Sequence, residues 1–167
     1  MKKTKTQRTK PLGRKKALVR RIIERRRSKA VLTRSKTERV GKVGGDANAR
    51  ALALLCADMI ESKRGFDITI LNVSKELQIT DYFVICSGRN NKQNQAIAYT
   101  FLENYSKLAP YGCSKPNYNS LHGFKEGQWI VVDLGAVVVH IFTEPLRKYY
   151  DLEFLWSFVP KVKRSLR

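Results

Sequence analysis

The chain has 167 residues, 43% of them hydrophobic, and a formal charge of +19, enough for one globular domain with a real core plus an appendage. No apolar run reaches the length of a secretory h-region or a membrane span, so export and membrane insertion are not expected. The three cysteines, Cys56, Cys86 and Cys113, are odd in number and lack CxxC or Cys/His ligand spacing, a reducing-compartment pattern that argues against a disulfide framework or a metal knuckle.

The charge is concentrated at one end. Residues 1–45 hold 18 Lys and Arg against Glu24 and Glu38, a net of +16; the remainder holds 15 against 12, a net of +3. This basic arm reads as a retained, RNA-touching segment with Arg20, Arg21, Arg25, Arg26 and Arg27 as its phosphate contacts, and its Arg-rich, acid-poor composition also fits a cleaved organelle transit peptide. Leu18, Val19, Ile22 and Ile23 recur at helical spacing, so residues 12–32 are expected to form a basic amphipathic helix once phosphate neutralises them, and to be disordered otherwise.

From Gly44 the chain changes character. Gly44-Gly45 reads as a hinge and Asp46 as an N-cap, and Ala49, Leu52, Ala53, Cys56, Met59 and Ile60 form the apolar stripe of a first helix ending at Lys63-Arg64-Gly65. Phe66 to Val73 follows as a strand with Phe66, Ile68 and Ile70 on one face. Tyr82 to Ser87 is a second strand with almost no polar interruption, which predicts a central position covered on both sides. A second helix is expected from about Asn91 to Ala109, with Ile97, Phe101, Tyr105 and Leu108 inward. A Gly/Pro/Asn-rich loop, 110–120, leads to Trp129–Phe142. There two β-branched runs flank Asp133-Leu134-Gly135-Ala136, a strand hairpin. Thr143 as N-cap and Pro145 in the first turn open a last helical segment carrying Leu146, Tyr149, Tyr150, Leu152, Leu155 and Trp156. The order helix, two strands, helix, two strands, helix predicts an α/β domain with a mixed sheet and helices packed on it.

Enzymatic readings find partial support. Ser87-Gly88 after a strand resembles the glycine-serine turn of nucleotidyltransferases, but metal-dependent phosphoryl transfer needs clustered carboxylates, and only Asp81 and Asp133 stand near the sheet. Cys86 and His140, oriented by Asp133, could in principle make a nucleophile and base; on apolar strands they read better as core. A zinc site from His122, His140 and Cys113 has no recognisable spacing. Arg89, Asn90, Asn91 and Lys92 read as helix capping with a weak suggestion of an RNA-facing loop, and Arg147, Tyr150 and Asp151 as a structural cluster fixing the last helix.

Three blocks carry a resemblance: Thr80 through Gly88 (TDYFVICSG), Trp129 through Phe142 with its DLG and VVVH elements, and Arg147 through Glu153 ending at Leu155-Trp156. In this order and spacing they resemble the Iojap family of ribosomal silencing factors over residues 46–157. The resemblance implies a nucleotidyltransferase-like fold without catalytic residues, and a protein that is not an enzyme and needs no cofactor or metal. It implies binding to the large ribosomal subunit through large-subunit ribosomal protein fourteen, which keeps the small subunit from joining and represses translation. For relatives in mitochondria and chloroplasts it implies a role in large-subunit assembly.

Carried onto this chain, the partner-facing positions are Trp129 on the strand and Leu134 in the turn, with Asp133 and Gly135 shaping that edge. The family commonly has an acidic residue after the turn glycine, where this chain has Ala136. Trp129 beside an exposed leucine would bury area at a partner surface, while ordinary core packing is the competing account of Trp129. Three parts are therefore expected: a basic arm, 1–45; an Iojap-like domain, 46–157; and a basic C-terminal tail, 158–167. The expected setting is the cytoplasm, with a mitochondrion or plastid as the alternative. No membrane partner is implied, ribosomal RNA contact is assigned to the arm, and a homodimer is compatible with an exposed apolar edge.

Overall fold

The computed structural model describes residues 46–77, 79–113, 115–116 and 121–164. The arm, with its arginines 20, 21, 25, 26 and 27, its expected helix and its Gly44-Gly45 hinge, lies outside the described residues. Helix α1 (Asp46–Ser62) opens the domain. It ends at Ser62, just before the expected Lys63-Arg64-Gly65 stop, because Arg64 takes a left-handed conformation (φ +58°) and the chain turns there. Gly65 is needed for closeness: a Cβ at that position would lie 2.3 Å from Ile60 Cγ2, while the Gly65 N–H donates to the Ile60 carbonyl at 3.0 Å.

Strands β1 (Phe66–Asn72) and β2 (Tyr82–Gly88) follow, then helix α2 (Asn91–Glu103), the short helix α3 (Tyr105–Leu108) and a single 3-10 turn at Ala109–Tyr111. The expected second helix is thus broken at Asn104. A two-residue strand β3 (Leu121–His122) precedes the hairpin of β4 (Trp129–Asp133) and β5 (Val137–Thr143). The last helical segment is also divided, into α4 (Glu144–Tyr150) and α5 (Leu152–Leu155), by Asp151 at φ +46°.

The sheet has the order β1-β2-β5-β4-β3. β2 and β5 run parallel at its centre; β1 and β4 flank them antiparallel. All seven residues of β2 are buried, as the unbroken apolar run required. β1 departs from simple alternation, since a bulge between Phe66 and Thr69 inserts one extra residue, with Asp67 at φ +50°.

α1 and α2 pack on one face of the sheet. Leu52, Cys56 and Ile60 of α1 and Ile97 and Phe101 of α2, all fully buried, meet Val84, Cys86, Ile130, Val132, Val139 and Ile141 there. The free edge of β1 is covered by the C-terminal segment, because the Asn72 N–H donates to the Pro160 carbonyl and the Val162 N–H to the Ile70 carbonyl, both at 2.9 Å. Arg164 then ion-pairs with Asp58 at 3.2 Å and Glu61 at 2.6 Å on α1. The described part of the expected tail is therefore a piece of the fold that blunts an edge strand. Among the described residues no helix is long and apolar enough to cross a membrane.

Candidate docking face

The two faces of the sheet have different chemistry. Alternation along β4 sends Trp129, Val131 and Asp133 to one side and Ile130, Val132 and Leu134 to the other. Ile130, Val132 and Leu134 belong to the core beneath α1 and α2. Leu134 is only 2% exposed. The expectation of an exposed leucine beside Trp129 is thereby corrected: the two residues lie on opposite faces, and the turn folds so that Leu134 caps the aliphatic core. The Leu134 N–H donates to the Val137 carbonyl at 2.9 Å, the Gly135 N–H to Asp133 Oδ1 at 2.9 Å, and Gly135 takes φ +84°. Asp133 is an exposed Asx-turn residue, consistent with the turn chemistry of its type.

The turn is also tied to the start of β2. The Ala136 carbonyl accepts from the Asp81 N–H at 2.9 Å, the Tyr82 N–H at 3.1 Å and Thr80 Oγ1 at 3.0 Å. Two of the sequence blocks that carry the resemblance meet at this one oxygen. The backbone holds position 136, whatever its side chain.

On the other face, rings run in a chain. Trp129 is half-buried, stacks on Phe142 with centroids 4.9 Å apart, and lies 4.6 Å from the Tyr150 ring. Its indole N–H donates to His140 Nδ1 at 3.4 Å. His140 meets Phe83 edge-on at 5.1 Å, Phe83 meets Trp156 at 5.5 Å, and Trp156 leads to Phe158 at 5.7 Å; at the other end Tyr150 meets Tyr149 at 5.1 Å. The pairs Phe83–His140, Phe83–Trp156 and Tyr149–Tyr150 have the edge-to-face geometry that aromatic quadrupoles prefer, Trp129–Phe142 is stacked, and Trp129–Tyr150 and Trp156–Phe158 are tilted. The chain surfaces at both ends. Tyr149 is 41% exposed and Phe158 66%; Phe154, on α5, is 59% exposed.

α4 and α5 are held over this face by Arg147. Its Nη1 donates to Ser87 Oγ at 2.9 Å and its Nε to Glu153 Oε1 at 2.9 Å, so one guanidinium ties α4 to the end of β2 and to α5. The expected structural cluster of Arg147, Tyr150 and Asp151 is realised with other partners: Tyr150 packs on Trp129, and Asp151 Oδ1 accepts from the Phe154 N–H at 3.4 Å.

The constellations weighed for chemistry are not assembled. Cys86 faces α1 and α2 while the ring of His140 lies among Phe83, Trp129 and Phe142, so the sheet separates them. Burial pushes the Cys86 thiol up to about 12, only partly opposed by Arg147, the reverse of what a thiolate nucleophile needs. Burial likewise raises Cys56 and Cys113. Asp133 sits beside the register pair of Phe83 and Val138, at the same end of β2 as Asp81. Ser87-Gly88 is at the opposite end, roughly 20 Å away along the strand. Among the described residues no three His, Cys, Asp or Glu side chains come together as a metal site.

The first turn of α2 does something its sequence did not advertise. Asn90 caps the helix, its Oδ1 accepting from the Gln93 N–H at 2.9 Å. Asn91 Nδ2 then donates to the Glu126 carbonyl at 2.8 Å and Asn94 Nδ2 to that of Gly127 at 2.7 Å. Gln95 Nε2 reaches the Phe124 carbonyl at 2.8 Å, and Gln93 Nε2 reaches those of Lys63 at 3.1 Å and Arg64 at 2.9 Å. Four amide side chains clamp two loops. Gly88 is required here, since a Cβ would lie 2.2 Å from Asn94 Oδ1.

The family model described as "ribosomal silencing factor during starvation" matches residues 46–166. The chain belongs to this family. It is 35% identical over 113 residues to the ribosomal silencing factor of Bacillus subtilis, covering 68% of this chain and 91% of that protein. To the chloroplastic protein Iojap of Arabidopsis thaliana it is 30% identical over 116 residues, 67% of this chain and 44% of that protein. A mouse protein named for mitochondrial assembly of the ribosomal large subunit is 29% identical over 103 residues, 62% of this chain and 44% of its own length. The fold is shared with a crystal structure of a Bacillus halodurans protein, with TM-score 0.55, 32% identity, and coverage of 69% of this chain and 99% of that one. A Chromobacterium violaceum protein gives TM-score 0.57 at 28% identity, with 71% and 93% covered.

Proposed function

We propose that this chain is a ribosomal silencing factor that acts by occupancy. It docks its aromatic face onto the large ribosomal subunit through large-subunit ribosomal protein fourteen and blocks joining of the small subunit. The observation that carries this reading is the ring chain centred on Trp129, exposed at Tyr149 and Phe158. Rigid aromatics with one open side are the residues that dominate binding energy at protein interfaces. Asp133 and Gly135 border the face at the hairpin turn, and Leu134 supports the turn from within the core. Arg20, Arg21, Arg25, Arg26 and Arg27 of the arm contact ribosomal RNA, and no catalytic step, cofactor or metal is involved. The cytoplasm is the setting.

A second reading, assembly of an organellar large subunit, is favoured by the mouse mitochondrial and plant chloroplastic relatives together with an Arg-rich arm of transit-peptide composition. Sucrose-gradient sedimentation of lysate containing the tagged full-length protein separates the two. Co-migration with mature free large subunits, and absence from translating ribosomes, supports silencing. Co-migration with immature large-subunit particles in an organelle fraction, with residues 1–45 removed, supports assembly. Migration with neither overturns both.

A further inference from the structure

We propose that the corner around the start of α2 is a second contact surface, built for the phosphate backbone of structured RNA and separate from both the aromatic face and the N-terminal arm. It rests on the reading that this protein works on the ribosome, where RNA is within reach. The amide clamp gathers three stretches of chain around one helical turn. Gln93 binds the carbonyls of Lys63 and Arg64 and, through Oε1, accepts from the Arg89 N–H at 2.8 Å. Gln95 Nε2 also reaches the Lys125 carbonyl at 3.2 Å. Lys63, Arg64, Arg89, Lys92 and Lys125 are all exposed. Asp67 and Glu126 are the carboxylates on these same stretches, leaving the corner at +3.

These cations are unspent. Arg147, Lys148 and Arg164 pair with carboxylates, whereas none of the five forms an ion pair with another described residue. Arg50, Lys75 and Lys107 form no ion pair with a described residue either; what sets the five apart is that the clamp gathers them at one corner, where self-repulsion is a cost that a polyanion would relieve. The α2 helix is about 10–12 Å across with its side chains, so cations on both sides of it span more than one phosphate. Among the described residues the corner offers no exposed aromatic anchor: Tyr149 and Phe158 end the ring chain, Phe154 is on α5, and Tyr99 lies two turns along α2. Protein interfaces need such an anchor, while phosphate contacts do not. The carbonyl clamp fixes the loops in advance, so little ordering is left to be done on binding.

The test uses the full-length chain and purified large-subunit ribosomal RNA stripped of protein. Lysine acetylation read by mass spectrometry should show Lys63, Lys92 and Lys125 protected by the RNA. Neutralising Arg64, Arg89, Lys92 and Lys125 together to Gln should lower the slope of log affinity against log salt by two units or more, taking ~0.9 per phosphate as for duplex DNA, with circular dichroism unchanged. An unchanged slope with those three lysines unprotected overturns the proposal. So does protection by an acidic polypeptide, poly-glutamate, equal to that by RNA at matched charge. Trp129→Ala separates the two surfaces. If docking to protein fourteen fails for the wild type while protection by naked RNA stands, the functional reading falls and this surface does not; intact Trp129-dependent docking without protection gives the converse.

Discussion

The two faces of one sheet were built to different specifications. Toward α1 and α2 the residues are mostly aliphatic and almost wholly buried; Leu52, Cys56, Ile60, Val84, Ile97, Ile130, Val132 and Ile141 pack there with the buried rings of Tyr82 and Phe101. Toward α4 and α5 the rings of Phe83, Trp129, His140 and Phe142 stand among Ile85, Val131 and Val138; two short helices of seven and four residues cover them, leaving Trp129 part-exposed and carrying exposed rings of their own at Tyr149 and Phe154. A face that only stabilises is closed by long helices. The half-covered face keeps area in reserve, at the cost of exposing Phe154 and Phe158 to water.

The sharpest way to break this comparison is at Leu134, which an interface account and a core account treat oppositely. Leu134→Ala should lose ~2–5 kcal/mol of folding stability in urea or thermal denaturation, as expected for a leucine removed from a packed core. Loss of binding without loss of stability would return Leu134 to the surface. Arg147→Met comes next. It abandons the buried Ser87 hydroxyl and the part-exposed Glu153 carboxylate and should cost ~1–3 kcal/mol, with Trp129 fluorescence shifting as α4 loosens. An unchanged spectrum would mean that the helices hold themselves over the rings.

A smaller effect follows from the thiol on the closed face. Burial raises Cys86 from 9.0 to about 12, so in the folded state it keeps a proton that the unfolded chain releases near its ordinary value. Its stabilising contribution is complete below that value and is lost as pH climbs from 9 towards 12. Urea titrations between pH 8 and 10.5 should show stability falling more steeply for the wild type than for Cys86→Ala; parallel curves would mean that the thiol is open to water. The smallest expected effect on folding is at Phe158. Phe158→Ser should change stability by no more than ~0.5 kcal/mol, the norm for an exposed site, yet weaken association with the large subunit. A large stability loss would reassign it to the closed core.

Much of the architecture was legible. The uninterrupted YFVICSG run placed β2 at the centre, and the β-branched runs about Asp133–Ala136 gave the hairpin, because hydrophobic period and turn chemistry act over a few residues. The opposite orientation of Trp129 and Leu134 was equally legible, since residues five apart on a strand cannot share a face; the turn between them hid the parity. Other features depend on contacts remote in sequence. Nothing local shows that Tyr150 will meet Trp129, that Pro160 and Val162 will pair with β1, or that the polar NKQNQ stretch will bind carbonyls of loops some 30 residues away. Arg64 and Asp151 take left-handed conformations that break the expected helices; arginine usually avoids that region, while aspartate is among the types that enter it more readily, but neither position is marked by its neighbours in sequence.

The central claim is that the half-covered aromatic face is where the large subunit binds. It is tested most directly by isothermal calorimetry of the full-length protein against purified large-subunit ribosomal protein fourteen, wild type against Trp129→Ala and Tyr149→Ala, with circular dichroism and melting curves to confirm folding. A buried aromatic anchor contributes ~2 kcal/mol or more, so Trp129→Ala should weaken binding about 30-fold or beyond, and Tyr149→Ala less. Wild-type affinity in a folded Trp129→Ala protein would contradict the account.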